Sequence, residues 1–196
     1  MSKPVPGDVM YKALMDKGVI IMAANVRVTP GVTEGIFRAA KDLDSAIILE
    51  IAKSECNLKR GYTGMVPNDY SDYVCKSADL IDYDAWALHA DHITIKEGTP
   101  EEVQDAKALI DAQIDSDFTS YAIDASHLYD LSKDNIRDAL SRNIDVTTEL
   151  VKHIEKGMKG KTFGLEVEVG EIGKKNEHGH VLTTPDEAVT FLKALK

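Results

Sequence analysis

Short runs of β-branched and small apolar residues alternate along the chain with longer stretches whose apolar positions recur every three or four residues. Such alternation is the mark of parallel strands joined by crossover helices. The first strand is read at Val19–Val26, followed by a helix carrying Val32, Ile36, Ala39, Ala40 and Leu43 on one face. The second is Ala46–Ala52, the third Ala85–Ala90, the fourth Thr119–Asp124 and the fifth Thr162–Val169. No element is assigned before the first strand. Helices are expected around Tyr70–Leu80, from Thr99 through Ile114, and from about Ser132 to Lys156. Thr99-Pro100-Glu101-Glu102 and Thr184-Pro185-Asp186-Glu187 both read as capping boxes with proline at the first helical position, and the second opens a terminal helix.

About five strand–helix units result, so the class is α/β. A closed (β/α)₈ barrel needs eight units and typically ~250 residues, whereas a doubly wound open sheet could be complete with five strands. No second domain, repeat or low-complexity tract interrupts residues 1–196, which read as one domain. The long polar connection Lys53–Asp69, with Gly61 and Gly64, is of a length that tends to carry function. Neither a dinucleotide glycine fingerprint nor a phosphate-cradling P-loop is present.

Charge narrows the classes further. With 23 Lys+Arg against 33 Asp+Glu the chain carries a net charge of −10, which argues against a nucleic-acid partner. No apolar run approaches the ~20 residues of a membrane span, and no apolar signal core follows the N-terminus, so a soluble, cytoplasmic protein is expected. Cys56 and Cys75 are too few for a disulfide framework and are expected to be free.

In parallel α/β folds chemistry gathers at the carboxyl ends of the strands. The third strand ends in His89-Ala90-Asp91-His92, the fourth in Asp124-Ala125-Ser126-His127, and the fifth carries Glu166 and Glu168 on one face. Any one of these is more simply a structural histidine or a solvated sheet face. Three on successive strand ends would crowd carboxylates and imidazoles together, and a divalent metal is the natural compensation. The lysine-rich stretch 152–161 reads as a solvated helix end, and Met10, Met15, Met22 and Trp86 as core or rim packing.

These segments resemble the class II, metal-dependent fructose-bisphosphate aldolase family of ketose-bisphosphate aldolases. The similarity runs in order through Asn25-Val26, Leu88-His89-Ala90-Asp91-His92, Ile123-Asp124-Ala125-Ser126-His127-Leu128 with Asn135-Ile136, and Leu165–Gly173 with its E-x-E-x-G-x-x-G pattern. The resemblance implies a TIM barrel, represented here by its first five units. It also implies reversible aldol cleavage of a phosphorylated ketose, such as fructose 1,6-bisphosphate, to dihydroxyacetone phosphate and an aldehyde. Such a reaction belongs to carbohydrate metabolism, in glycolysis and gluconeogenesis. His92, Asp124 and Glu168 would be metal residues for zinc or another divalent ion, with a second divalent or monovalent cation nearby. Asp91 would be the acid/base at the bond being cleaved, and Glu177 the residue that moves the proton of the enolised carbon. His89, Glu166, Ser126 and His127 would orient the ligands, and Asn25 would contact substrate. A homo-oligomer, dimer or larger, is the expected assembly.

The sequence also departs from the family pattern. Two further histidine ligands of the family, from H-G and H-G-G-S-G segments after later strands, have no counterpart before Lys196, nor do the phosphate-binding loops. Arg27 stands where members carry a second Asn, and Ala52-Lys53-Ser54 replaces a directly presented hydroxyl. The chain is therefore expected to be part of a longer barrel, with weak or absent aldolase activity on its own. The alternative is a truncated, non-catalytic paralogue that partners a complete barrel.

Overall fold

A computed structural model describes residues 2–27, 31–170 and 182–195, together with the backbone of 175–176 and 179–180. Ten of its elements form the main body: α1 (Gly7–Leu14), β1 (Met22–Asn25), α2 (Val32–Asp42), β2 (Ile47–Ala52), α3 (Pro67–Ile81), β3 (Trp86–Thr94), α4 (Pro100–Asp115), β4 (Ser120–Asp124), α5 (Ile136–Met158) and β5 (Gly164–Val167). A short antiparallel pair, β6 (Lys175–Asn176) and β7 (Gly179–His180), follows, then α6 (Pro185–Ala194). No helix among the described residues is long and apolar enough to cross a membrane.

The five main strands are all parallel and lie side by side in chain order, β1-β2-β3-β4-β5. A doubly wound sheet reverses its strand order at a switch point, and this one never does. Successive right-handed crossovers in one direction put every crossover helix on the same face, the winding of a TIM-type (β/α) barrel.

Strand alternation then divides the residues between two faces. Leu49, Ile51, Trp86, Leu88, Ile93, Tyr121 and Ile123 point outward and are buried against Phe37, Tyr70, Val74, Ile110, Leu150 and Ile154 of the helices. The inner face is graded along the strands. At their amino ends Ile48 and Ala87 pack against Met10 of α1, with Tyr11 and Leu14 beside them. At their carboxyl ends the same face presents Glu50, His89, Asp91, Asp124 and Glu166.

The sequence reading lacks α1, whose Pro4, Pro6 and Gly7 look like breakers. They instead lead into a helix that plugs the floor of the inner face. Val5 and Gly7 donate backbone hydrogen bonds to Trp86 O and Thr119 O, at 2.7 and 3.0 Å. Tyr11 reaches Ser120 Oγ at 3.1 Å. The reading also ends the third strand at Ala90, whereas β3 continues to Thr94 through an irregularity between Ala90 and Ile93. Tertiary pairing with β4 overrides the polar His-Ala-Asp-His run. The first strand is shorter than read, and Met15 and Met22, expected in packing roles, are exposed.

Both Thr-Pro helix starts are caps, but of different kinds. Thr184 and Glu187 bond reciprocally, as a capping box requires. Thr99 accepts from Glu102 N at 3.2 Å, while the Glu102 carboxylate reaches farther back to the amides of Lys96, Glu97 and Gly98. The long helix α5 begins at Asn135, whose side chain accepts from Asp138 N. Cys56 and Cys75 are free.

The close approach of α1 to the sheet depends on two glycines. A Cβ on Gly164 would stand 2.5 Å from Ser120 Oγ, 2.8 Å from Tyr11 Cε2 and 3.0 Å from Gly7 Cα. Ser120 Oγ is bonded to His89 and Tyr11, and Gly7 is tied to Thr119 O, so the clash would have to be relieved by lifting α1. Gly164→Ala is expected to cost about 1–3 kcal/mol as overpacking, read as a lower urea midpoint with an unchanged slope.

Candidate functional site

Ala90 pairs with Tyr121 and Ile93 with Ile123, so Asp91 and His92 together oppose the single residue Ala122. This is a β-bulge, and it re-aims a side chain. In a regular strand His92 would point outward while Asp91 pointed in. With the extra residue both face inward, and Ile93 and Ile95 return to the helix-side core. His92 takes a left-handed backbone with φ +42°, an uncommon conformation for a non-glycine residue.

His92 Nδ1 lies 3.4 Å from Asp124 Oδ2 and 3.1 Å from Glu168 Oε1. The donor atoms of all three lie within 4.8 Å of one another. Each is held in place by its own element. Asp124 ends β4, and its Oδ1 accepts from Ser126 N at 3.1 Å and Ser126 Oγ at 2.6 Å, leaving Oδ2 turned toward His92. Glu168 follows β5, with its amide still bonded to Ile123 O at 3.3 Å. On the helix side, the buried Asn143 of α5 donates to Glu168 O and Val169 O at 3.0 and 2.9 Å. Thr147 Oγ1 donates to Asn143 Oδ1 at 3.0 Å and fixes that amide's direction.

A second group sits below the first on the same face: Glu50, His89 and Asp91, again with donor atoms within 4.8 Å. His89 is 2% exposed. Its Nδ1 bonds Ser120 Oγ at 2.7 Å, and its Nε2 lies 3.6 Å from Glu166. Burial and the neighbouring His92 charge push the His89 pKa down to about 4, so it is a neutral polar partner there.

The carboxylates share one electrostatic problem. Burial, with repulsion from Asp91 and Glu166, pushes Glu50 up to about 7. Burial and the Asp124 charge push Glu168 up to about 7 as well. Asp91 and Glu166 are raised, each first by burial. Desolvation works against the His92 cation, but the charges of Asp91 and Glu168 and the contact with Asp124 outweigh it and hold His92 above its usual value. A mouth that crowds this much negative charge favours a proton or a cation.

The donor set fits a metal. Ligands bound tetrahedrally at about 2.0–2.2 Å stand about 3.3–3.6 Å apart; the His92 contacts of 3.4 and 3.1 Å are close to that spacing. One imidazole and two carboxylates suit zinc or another divalent ion.

Of the residues singled out in the sequence, His92, Asp124 and Glu168 are brought together, with Asp91 beside His92 and Ser126 on Asp124. His89 and Glu166 face each other on the same inner face. Asn25 ends β1 opposite Glu50, but its amide donates to Glu55 Oε2 at 2.8 Å. His127 lines a separate depression with Lys96, Tyr129 and Arg142. Glu177 lies outside the described residues.

Glu50 and Glu55 are not among the residues singled out. The signal for Glu50 was present: a lone charge in the apolar run Ala46–Ala52, in the register that faces inward. Glu55 sits in the long polar connection and had no such signature, yet it is buried and accepts hydrogen bonds from four donors.

The chain is similar in fold to a probable tagatose 6 phosphate kinase from Sinorhizobium meliloti 1021, at 20% identity and a TM-score of 0.61 over 89% of this chain. A sugar phosphate isomerase/epimerase from Parabacteroides distasonis ATCC 8503 aligns at 14% identity with a TM-score of 0.47 over 98% of this chain. The chain spans 42% of the first protein and 63% of the second. Its sequence matches the family described as "Fructose-bisphosphate aldolase class-II" over residues 6–196. With that match running through every strand of the sheet, the chain belongs to the class-II fructose-bisphosphate aldolase family.

Proposed function

We propose that this chain carries the metal-binding and proton-transfer half of a metal-dependent aldolase site, which cleaves a phosphorylated ketose to dihydroxyacetone phosphate and an aldehyde. The observation that carries this reading is the convergence of His92, Asp124 and Glu168 from three strand ends, with Asp91 turned to the same face by the β3 bulge. His92, Asp124 and Glu168 would hold the ion, most simply Zn²⁺. When bound, a divalent ion supplies Lewis acidity that stabilises the negative charge left beside the carbonyl as the carbon–carbon bond breaks.

The chain's own groups do the rest. Asp91 accepts the proton of the hydroxyl at the bond being cleaved and returns it in the reverse reaction. Burial raises its carboxyl pKa and so increases its basicity toward that proton. Adjacency to His92 sets where the base stands relative to the ion. His89, neutral and bonded to Ser120, and Glu166 line the inner face beneath. Asn143 anchors the backbone that presents Glu168. Glu177 is proposed to move the proton of the enolised carbon, and Asn25 to contact substrate. A second cation would find Glu50, His89 and Asp91.

A second reading rests on the sheet edges: among the described residues β1 and β5 do not pair with each other, and Ile20 before β1, Met22 in β1 and Leu165 in β5 are exposed. The chain would then be a non-catalytic subunit that docks on a complete barrel. Unpaired edges of this kind associate readily. The native mass in solution, alone and mixed with a full-length barrel of the family, distinguishes the two.

Calorimetric titration of the 196-residue chain with zinc should show a tightest site that His92→Ala abolishes and Asp91→Ala retains. Binding unchanged in His92→Ala would sink the proposed site. Cleavage of fructose 1,6-bisphosphate by the chain alone is expected to be weak or absent. Robust turnover, lost in Asp91→Ala, would show instead that these five units suffice.

Asn143→Ala should weaken zinc binding roughly 10–100-fold, the scale seen when a group orienting a ligand is removed. Asn143→Asp, which loses the donated hydrogen bonds at similar volume, should behave alike.

The crowded carboxylates also set a pH dependence. Glu50 has a folded-state pKa of about 7 against 4.5 for the free group, so above pH 7 it is ionised in both states and the folded state bears the cost of burying that charge and of its repulsion by Asp91 and Glu166. Glu50→Gln should therefore raise the melting temperature at pH 8, by an amount that shrinks as pH falls from 7 toward 4.5. An equal gain at pH 4 and pH 8 would contradict a cost tied to the ionised carboxylate.

A further inference from the structure

We propose that Arg27 receives a phosphate group of the substrate, in a subsite formed with Tyr62 at the carboxyl ends of β1 and β2. The proposal rests on the sugar-phosphate reading above and names a group that binds the substrate's charged end.

The buried Glu55 holds Arg27 from one side. Arg27 Nε donates to Glu55 Oε1 at 2.6 Å and contacts Tyr62 Oη at 2.7 Å; Tyr62 Oη also donates to Glu55 Oε1. The guanidinium carbon stands 5.9 Å from the centre of the Tyr62 ring. Glu55 is fixed in turn by Ala52 N at 2.9 Å and Asn25 Nδ2 at 2.8 Å. Gly61, at φ +53°, lets the connection pass so close to Glu55 that a Cβ there would lie 2.2 Å from Glu55 O.

Were Arg27 present only to neutralise Glu55, its terminal fork would be the natural contact, since two parallel N–H groups match a carboxylate. Three other donors already serve that carboxylate. Arg27 instead uses its side-on Nε, and neither Nη has a hydrogen-bond partner among the described residues. The side chain is 60% exposed. It borders a cavity of about 430 Å³ shared with Tyr62, Thr63 and Met65. The free end is thus an oriented, weakly hydrated cationic fork, the geometry that suits a phosphate.

Location and charge agree. Asn25, two residues earlier, pairs with Glu50 at the inner mouth, and Ala52, bonded to Glu55, pairs with Asp91. Glu50, Asp91, Glu166 and Glu168 line that mouth, so a dianionic substrate arriving there meets repulsion unless a cation is offered at the rim. Arg27 offers one, on the side of the sheet opposite β5.

The test titrates the metal-free 196-residue chain with inorganic phosphate, against chloride at equal ionic strength, following the Arg27 Nε–H and Tyr62 resonances by NMR. A saturable shift with phosphate and none with chloride is expected, together with at least a tenfold loss of affinity in Arg27→Gln and a smaller loss in Arg27→Lys. Failure of phosphate to move the Arg27 resonance in the wild-type chain, or equal affinity in a folded Arg27→Gln, would overturn the subsite. If Arg27→Gln does not fold, the wild-type resonances decide. Zinc titration of the same samples keeps the two ideas apart: zinc bound through His92 without phosphate at Arg27 removes only the subsite. Phosphate at Arg27 without zinc at His92 removes the metal reading instead.

Discussion

Alternation along a strand sends neighbours to opposite faces, so Asp91 and His92 can serve one site only because β3 holds an extra residue there. The bulge carries a backbone cost at His92, whose φ is +42°, and strain of this sort persists only where its surroundings enforce it. Ile93 and Ile95, both fully buried among the helices, supply the enforcement. Regularising the strand would move these two side chains out of the core and turn His92 away from Asp124 and Glu168. Apolar packing on the outer face thus fixes the polar geometry on the inner one.

The inner face is built as a gradient. Its floor is closed by α1, which is tied to the sheet through Tyr11, Ser120 and the two facing glycines. Its mouth gathers carboxylates whose pKa values are raised by burial and by one another. The apolar packing of α1 closes one side of the inner face, so the groups above are partly desolvated and more strongly coupled than on an open sheet. That coupling favours a proton or a cation there. Around the rim, Glu55 binds β1 to the long connection after β2 through Asn25, Arg27 and Tyr62. This connection is an ordered part of the mouth, and it takes its shape from a buried carboxylate.

Much of the architecture was legible in the chain itself. The order of strands and helices follows from apolar periodicity, and both Thr-Pro helix starts were readable because their capping chemistry is local. The cluster of His92, Asp124 and Glu168 could be named because its members occupy the ends of successive strands, where a parallel fold must bring them near one another. Glu50 was also within reach, as a lone charge at an inward position of an apolar strand. Other parts depended on partners distant in sequence. The N-terminal helix has breakers at its start and is stabilised by the floor of the sheet. The bulge in β3 arises from pairing with β4, and no local residue pattern announces it. Asn143 reads as an ordinary polar position in an amphipathic helix until the chain beyond β5 is laid across it.

The sequence alone thus determined the five strands of the sheet, the helices between them, their order, and which strand ends gather titratable groups, because periodicity, caps and strand-end residues are properties of neighbours in the chain. The tertiary structure decided that the sheet winds in one direction, that Asp91 and His92 share a face, and that Asn25 and Arg27 converge on Glu55. Those outcomes require contacts between segments tens of residues apart. They are settled by burial and hydrogen-bond satisfaction across the assembled sheet, which a linear reading of the chain does not contain.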